Sequence, residues 1–407
     1  MRVLMLGWEF PPYNSGGLGV ACEGLARALI QENVSVTFVL PKRFALSDSE
    51  IKFRFADVEG TRIRRVDTML QPYLTSREYE LKKRFFDNTG YGGDLLAEVL
   101  RYAGAVATIA EEEEFDVIHA HDWLAFLAGV VAKEVSGRPL VLHSHITSFD
   151  QSGGDHVDPR VYRIEHIGFH RADAVVAVSN HVKNIIVDKY HMIPDRVRVI
   201  HNGVNTRTYL DSSPEIRKIL ALKRSHKKIV LYMGRLTMHK GPDYFLRAAK
   251  KVLEHHPNTL FVIAGSGDME WQLVRLAADL GIANNVFFAG FARGEEACRL
   301  YRSADLYVLP SVSEPFGLTP LESLISGTPT LISKQSGVSE VLQNTLKVDF
   351  WDVDEMANKI VAVLRHPPLA KQLTFLGRGE ALLLTWGRAA KQCVDLYNAL
   401  TGSLVRT

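Results

Sequence analysis

Cysteine is scarce in this 407-residue chain. Cys22, Cys298 and Cys393 are the only three, far apart and without paired metal-ligand spacing. That excludes a disulfide framework and a cysteine-built zinc module, and reduced thiols in a cytoplasmic protein are expected. An apolar run of membrane-spanning length is also missing. The opening Val3-Leu4-Met5-Leu6 is too short for the core of a signal peptide, and Glu9 and Pro11-Pro12 follow directly. Neither charge sign is in excess: 48 basic and 46 acidic residues leave +2, too little for a dedicated nucleic-acid binder. There is no internal repeat and no low-complexity tract. What is there, 46% hydrophobic and 23% charged residues, has the balance of a water-soluble globular chain. At this length two domains are expected rather than one.

Short β-branched runs alternate with helical patterns through both halves. Strands are predicted at 3–6, 34–40, 116–120, 139–143, 174–179 and 197–201. Ala21, Leu25, Ala28 and Leu29 recur at helical spacing between the first two. Residues 43–93 carry a mixed basic and aromatic pattern, including Arg84-Phe85-Phe86, read as an elaboration on the sheet. Its cations form a solvated face, with an acceptor-binding or peripheral membrane surface as the alternative. Residues 204–226 break the rhythm: Asp211-Ser212-Ser213-Pro214 and a basic helical stretch at 218–228 have the character of a linker. Alternation restarts with strands at 228–233, 260–264, 286–289, 306–309 and 330–333. The pattern predicts an α/β fold of two Rossmann-like, doubly wound parallel sheets. The expected domains are 1–205 and 206–385, with an interdomain cleft for a small-molecule site. An amphipathic helix within 386–407 is expected to cross back and complete the first domain.

Sheets of this kind bind ligands beyond the carboxyl ends of their strands, at helix N-termini. The first such loop runs from Gly7 to Gly16-Gly17-Leu18-Gly19, where glycines let the backbone approach a phosphate. Cys22 stands where a dinucleotide fingerprint needs its third glycine, which argues against a nicotinamide cofactor. His119-Ala120-His121-Asp122 and His143-Ser144-His145 end two successive strands. Alternate strand residues share a face, so each His-x-His offers two imidazoles to a metal or, as the preferred reading, to substrate hydroxyls. The metal alternative makes a metal-dependent hydrolase the rival class, but no carboxylate–lysine set completes such a site. Gly234-Arg235-Leu236-Thr237-Met238-His239-Lys240-Gly241 puts two cations on a glycine-bounded loop, suited to phosphate oxygens. Gly265-Ser266-Gly267 adds a close backbone approach to a base or ribose. Asp352-Val353-Asp354 has the spacing of a divalent-cation pair, yet it precedes Met356, Ile360, Val361 and Leu364 at helical spacing, so capping explains it.

The densest stretch is Ser313-Glu314-Pro315-Phe316-Gly317-Leu318-Thr319-Pro320-Leu321-Glu322-Ser323. Thr319, Pro320 and Glu322 fit the N-cap, N1 and N3 positions of a capping box, which gives Glu322 a structural reason. Glu314 has none. It precedes Pro315, is biased to extended backbone, and no helix face claims it. An unpaired carboxylate in a loop at the ligand edge is a functional candidate.

The motif Glu314-x7-Glu322 resembles that of the retaining glycosyltransferases of family 4 and the related glycogen synthases. So do Gly234-Arg235-Leu236-x3-Lys240-Gly241, His119-Ala120-His121-Asp122-Trp123, Gly16-Gly17-Leu18-Gly19 and Ile200-His201-Asn202-Gly203-Val204, over nearly the whole chain and in order. The resemblance implies a GT-B architecture with a nucleotide-diphospho-sugar donor on the second domain and a carbohydrate or other hydroxyl acceptor on the first. It implies transfer of a hexose, glucose from UDP or ADP by likeness to glycogen synthases, with no metal and no cofactor. Position by position, Arg235 and Lys240 would hold the donor diphosphate, with Gly16 and Gly17 closing over it and Gly234 and Gly265 nearby. Phe316 and the N–H groups of Gly317, Leu318 and Thr319 would bind sugar hydroxyls and phosphate. Glu322 would take the ribose, Glu314 would face the donor sugar, His145 would reach it, and Asp122 would lie on the acceptor side. Asn14-Ser15 stands where glycogen synthases carry a lysine, and Ser148 where many relatives have Glu. These departures leave the acceptor open. Glycogen or starch synthase and a sucrose-type synthase are alternatives; a sugar-nucleotide epimerase or a non-catalytic sugar-nucleotide binder is more distant.

Overall fold

The structure, a computed structural model, describes residues 1–13, 16–43, 46, 48, 50–56, 95–154, 156–206, 209 and 228–404. Asn14-Ser15, most of the expected elaboration at 43–93 and most of the expected linker at 204–226 lie outside the described residues. The chain divides into two compact units. One comprises Met1–Gln151, Asp155–Gly203 and Trp386–Thr407; the other comprises Ser152–Gly154 and Val204–Thr385.

The first unit is built on β1 (Arg2–Leu6), β2 (Ser35–Leu40), β3 (Lys52–Phe55), β4 (Val117–His121), β5 (Leu140–Ser144), β6 (Ala174–Ala177) and β7 (Val197–Val199). They pair in parallel in the order β3-β2-β1-β4-β5-β6-β7. The second unit holds β8 (Lys228–Met233), β9 (Thr259–Ala264), β10 (Val286–Gly290), β11 (Leu306–Leu309), β12 (Thr330–Ser333) and β13 (Leu346–Val348). These are also parallel, in the order β10-β9-β8-β11-β12-β13. Central strands such as β6 and β9 are buried from end to end, because helices cover both faces of a parallel sheet. That burial is why Ala-Val-Val-Ala and Thr-Leu-Phe-Val-Ile-Ala read as unbroken runs. Of the four described edge strands, β7 and β10 were anticipated and β3 and β13 were not. Their polar residues, as in Lys-Phe-Arg-Phe and Leu-Lys-Val, leave no such run, since an edge is only partly covered.

Helix Gly17–Gln31 buries Leu18, Ala21, Cys22, Leu25, Ala28 and Leu29 along one face. The last helix, Trp386–Leu404, packs on it so closely that a Cβ at Gly24 would lie 2.3 Å from the Trp386 ring. In the second unit Phe245 and Leu246 of helix Pro242–His255 meet Phe261 and Ile263 of β9 and Met356 and Ile360 of helix Val353–Arg365. Asp352 caps that last helix by accepting from the Glu355 N–H at 3.0 Å, and Asp354 pairs with Lys251 at 2.5 Å. All three cysteines are free and buried. No helix among the described residues is long and apolar enough to cross a membrane. In each sheet the winding reverses once, between β1 and β4 and between β8 and β11. Those reversals are where such folds open a crevice for ligands.

Candidate active site

In the second unit β8 and β11 pair through Val230–Leu306 and Leu231–Tyr307. Tyr232 and Tyr307 are fully buried, so their hydroxyls require partners. Tyr232 donates to the Arg235 carbonyl over 2.8 Å, and the Tyr307 hydroxyl lies 3.0 Å from the Met233 carbonyl and 2.8 Å from Thr319 Oγ1. The sheet thereby fixes the loops at its own edge. The two loops are also tied together: the N–H groups of Val312 and Ser313 donate to the His239 carbonyl at 2.9 and 3.3 Å. Gly241 has φ 64°, and a Cβ there would sit 2.1 Å from the Pro310 carbonyl, so the junction admits only glycine. Gly265 meets Gly234 in the same way, with a Cβ 1.9 Å from its carbonyl.

Across this junction Lys240 Nζ donates to Glu314 Oε2 at 2.6 Å, and Ser311 Oγ donates to the same oxygen at 3.3 Å. Arg235 lies on the same loop, its guanidinium 3.5 Å from His239 Nε2. Burial first, then the charges of Lys240 and Arg235, push His239 down to about 2, so this imidazole is neutral and adds no third charge. Helix Leu318–Ile325 begins at Gly317, φ 98°, without a side-chain cap. Its first-turn N–H groups have no partner within the helix and carry the positive end of its dipole. A Cβ at Gly317 would lie 3.2 Å from Glu314 Cγ. Arg235, Lys240, Glu314, Gly317 and Thr319 thus share one strand-end junction.

Two expectations are corrected here. Thr319 is not an N-cap and Glu322 does not close a capping box, because the helix starts at Leu318 and its sharp entry is made by Gly317. The Thr319 hydroxyl is engaged by Tyr307 instead, and Glu322 Oε2 accepts from the Tyr301 hydroxyl at 2.9 Å. Tyr209 also donates to Glu322, yet burial outweighs both bonds and raises its carboxyl above the ordinary value. Glu314, in turn, is not unpaired. Besides Lys240, its backbone forms a bridge with Ser336, donating to the Gln335 carbonyl at 3.2 Å and accepting from Gly337 at 2.8 Å. Phe316 is buried, and its carbonyl accepts from Val338 N–H at 2.7 Å and Ser336 Oγ at 3.1 Å.

In the first unit helix Gly17–Gln31 starts at Gly16, in extended conformation. Glu9, which the sequence did not single out, is buried there, and its Oε1 accepts from the Gly19 N–H at 3.0 Å. Gly17 is exposed, and a Cβ would meet nothing within 4 Å, so the described surroundings give no steric reason for glycine. At the end of β4 the chain enters helix Asp122–Ser136 directly, with Asp122 at φ 58°. Side-chain-bearing residues adopt that conformation at a cost. Here it places Oδ1 of Asp122 against the N–H groups of His145 (2.6 Å) and Ile146 (3.3 Å), joining the ends of β4 and β5. Burial prevails over those bonds and pushes the Asp122 carboxyl well above the usual carboxylate range.

The four histidines form one stack rather than two separate pairs. Neighbouring ring centroids lie 4.2–5.3 Å apart at interplanar angles of 13–29°. Burial lowers all four, His119 and His145 to about 3, so the rings are neutral near pH 7. Their bonds run between strands: His119 Nε2 to His143 Nδ1 at 3.2 Å and His121 Nδ1 to His145 Nε2 at 2.9 Å, while His119 Nδ1 meets the Tyr397 hydroxyl. Ligand atoms of His119, His121 and His143, and likewise of Cys22, His121 and His145, fall within 4.8 Å of one another, a spacing open to a cation. Each triad, however, already spends ring nitrogens on a bond between histidines. Beyond the stack, Ser148 donates through Oγ (2.6 Å) and N–H (2.9 Å) to the buried Glu165, which also accepts from Tyr190 at 2.5 Å.

Two family models match the chain. Glycosyltransferase family 4 covers residues 15–208, and glycosyl transferases group 1 covers 213–378. An uncharacterized glycosyltransferase of Methanocaldococcus jannaschii is 31% identical over 409 residues, spanning 98% of each chain. A D-inositol 3-phosphate glycosyltransferase of Salinispora tropica is 28% identical over 94% of this chain and 81% of its own. HepE of Anabaena, solved in complex with UDP and glucose, superposes with a TM-score of 0.73 at 19% identity, covering 98% of this chain and all of its own (100%). With this fold, these matched segments and a full-length relative above 30% identity, the chain belongs to the glycosyltransferases of family 4, built on the GT-B fold.

Proposed function

We propose that the protein is a retaining glycosyltransferase that moves a hexose, glucose in the first instance, from a UDP- or ADP-linked donor to a hydroxyl acceptor without a metal. The observation that carries this reading is the junction in the second unit. Lys240 pairs with the buried carboxylate of Glu314, Arg235 stands on the same loop as Lys240, and helix Leu318–Ile325 starts at Gly317 without a side-chain cap. Fork, point charge and aligned N–H groups are the partners that suit a departing diphosphate. The HepE complex with UDP and glucose supports the donor class, and the D-inositol 3-phosphate glycosyltransferase relative makes a polyol phosphate an early acceptor to try.

As the bond from the anomeric carbon to the diphosphate lengthens, negative charge grows on the phosphate and positive charge on the sugar. Arg235, Lys240 and the N–H groups of Gly317, Leu318 and Thr319 stabilise the first charge. Glu314, held by Lys240, stabilises the second; its engagement favours this role over nucleophilic attack. The acceptor oxygen bonds to the anomeric carbon on the face the diphosphate leaves, and its proton passes to the departing phosphate oxygen. Gly16 and Gly17 approach the phosphate, Gly234, Gly265 and Phe316 shape the donor site, and Glu322 takes the ribose. His145 reaches the donor sugar and Asp122 orients it through the His145 backbone. The second unit holds most of the donor, and the first receives the acceptor.

The test is nucleotide release from a panel of UDP- and ADP-sugars with and without acceptors, followed by NMR of the anomeric centre. Acceptor-dependent release, retained configuration and indifference to chelator are expected. An inverted product, or activity abolished by chelation, would sink the reading. Conversion of the donor alone to an epimer would transfer the chain to a different reaction class.

A further inference from the structure

His121 ends β4 and His145 directly follows β5, so the parallel sheet presents both rings at one edge. Both are buried and neutral, and a neutral imidazole carries one N–H and one lone pair. The bond between His121 Nδ1 and His145 Nε2, 2.9 Å long, therefore uses one proton and one lone pair. If the proton sits on His145 Nε2, then His145 Nδ1 is bare and His121 carries its own proton on Nε2. If it sits on His121 Nδ1, then His145 carries its proton on Nδ1 and His121 Nε2 is bare. Of the two remaining nitrogens, one is always a donor and the other an acceptor.

Those two nitrogens, His145 Nδ1 and His121 Nε2, are buried and have no hydrogen-bond partner among the described residues. Buried polar atoms are seldom left so, which points to a ligand that supplies the missing bonds. The adjacent pair is anchored differently, since His119 is held by Tyr397 from helix Trp386–Leu404 as well as by His143. The main chain of His145 is held by its backbone N–H, which donates to Asp122 Oδ1 at 2.6 Å. Among the described residues, His121 is the side chain hydrogen-bonded to the His145 ring.

We infer that His121 is a positioning residue for His145: by holding the shared proton it decides whether His145 donates to or accepts from a sugar hydroxyl. The functional part rests on the glycosyl-transfer reading above; the pairing of protons does not. The test combines imidazole nitrogen NMR of the full-length protein, with His145 assigned by its loss in His145→Gln, and steady-state kinetics. His121→Asn keeps a hydrogen-bonding group near the lost Nδ1, whereas His121→Phe keeps a stacked ring and removes it. A single His145 tautomer is expected in the native protein and in His121→Asn, giving way to a mixture in His121→Phe. Turnover in His121→Phe should fall by roughly 10-fold or more with donor KM changed by about 2-fold at most, and His121→Asn should recover most of it. An unchanged His145 tautomer in a folded His121→Phe protein overturns the inference and leaves glycosyl transfer untouched. Responsive tautomers in a protein that transfers no sugar support the pairing and remove the transfer reading. A cobalt–thiolate absorption band on adding Co2+, lost in Cys22→Ser, would also overturn it, because a cation would then hold the ring nitrogens.

Discussion

Lys240 and Glu314 show how a single side chain carries two duties. Their side chains are only 16% and 10% exposed, and each is the other's counter-charge at 2.6 Å. Removing one partner strands a buried charge, at a cost of about 3–5 kcal/mol. Lys240→Ala should therefore lose stability in chemical denaturation and also lose turnover, by about 100-fold or more if it stabilises the diphosphate. Adding Glu314→Gln to Lys240→Ala should restore the stability but not the turnover. Near-normal nucleotide release by Lys240→Ala with every accepted donor would remove Lys240 from that role. Glu165 offers a second residue-scale test. Three donors favour its carboxylate, but burial wins and raises it to about 7 from 4.5. The folded chain thus holds this proton more tightly than the unfolded one. Its contribution is complete below pH 4.5 and fades as pH climbs through about 7. Stability curves of native protein and Glu165→Gln should diverge over that window by on the order of 3 kcal/mol. Parallel curves would show that the shift is absent.

At the scale of elements, glycines that look alike in sequence do different things. Gly241 is demanded by the fold, through φ 64° and the Pro310 carbonyl; at Gly17 a Cβ would meet none of the described residues within 4 Å, and φ is not positive. Gly241→Ala should destabilise the protein by ~2–4 kcal/mol, read by denaturation, since left-handed backbone and overpacking both cost. Gly17→Ala should leave denaturation unchanged within ~0.5 kcal/mol and weaken only catalysis or donor binding, measured by KM and kcat. The helix at 318–325 carries the corresponding lesson about reading caps. The local pattern Thr-Pro-x-Glu satisfies a capping box, but Tyr307, buried in the neighbouring strand, claims the threonine hydroxyl. Local rules set what a helix start accepts; the sheet beneath decides which residue makes it.

For the molecule as a whole, the chain's last helix belongs to the unit that its first residues begin. Trp386 fills the space that Gly24 leaves and Tyr397 reaches His119, 278 residues away in sequence. Gly24→Ala would drive a methyl group into the indole, an overpacking worth roughly 1–3 kcal/mol. Hydrogen exchange should then quicken in helices Gly17–Gln31 and Trp386–Leu404 and stay unchanged through β8–β13. Faster exchange throughout both units would mean that they do not open independently. Most of the doubly wound pattern is legible before any coordinates exist, because parallel strands covered on both faces must be apolar along their length. Two of the four described edge strands, β3 and β13, escape that logic, being only half covered.

The sequence by itself determined the alternation of strands and helices, the strand-end position of every candidate loop, and the order of motifs that marks the family. These are local properties: periodicity, turn chemistry and spacing along one chain. Pairing was decided by tertiary structure alone. Glu314 could be singled out as a functional carboxylate, but its partner Lys240 stands 74 residues earlier. Two His-x-His motifs announced four imidazoles at a strand edge, and only the register of β4 against β5 made them one stack with crossed hydrogen bonds. Burial did the rest. Whether an imidazole is neutral, or a carboxyl such as Asp122 or Glu165 is raised, depends on how much water the fold excludes, and no stretch of sequence records that quantity.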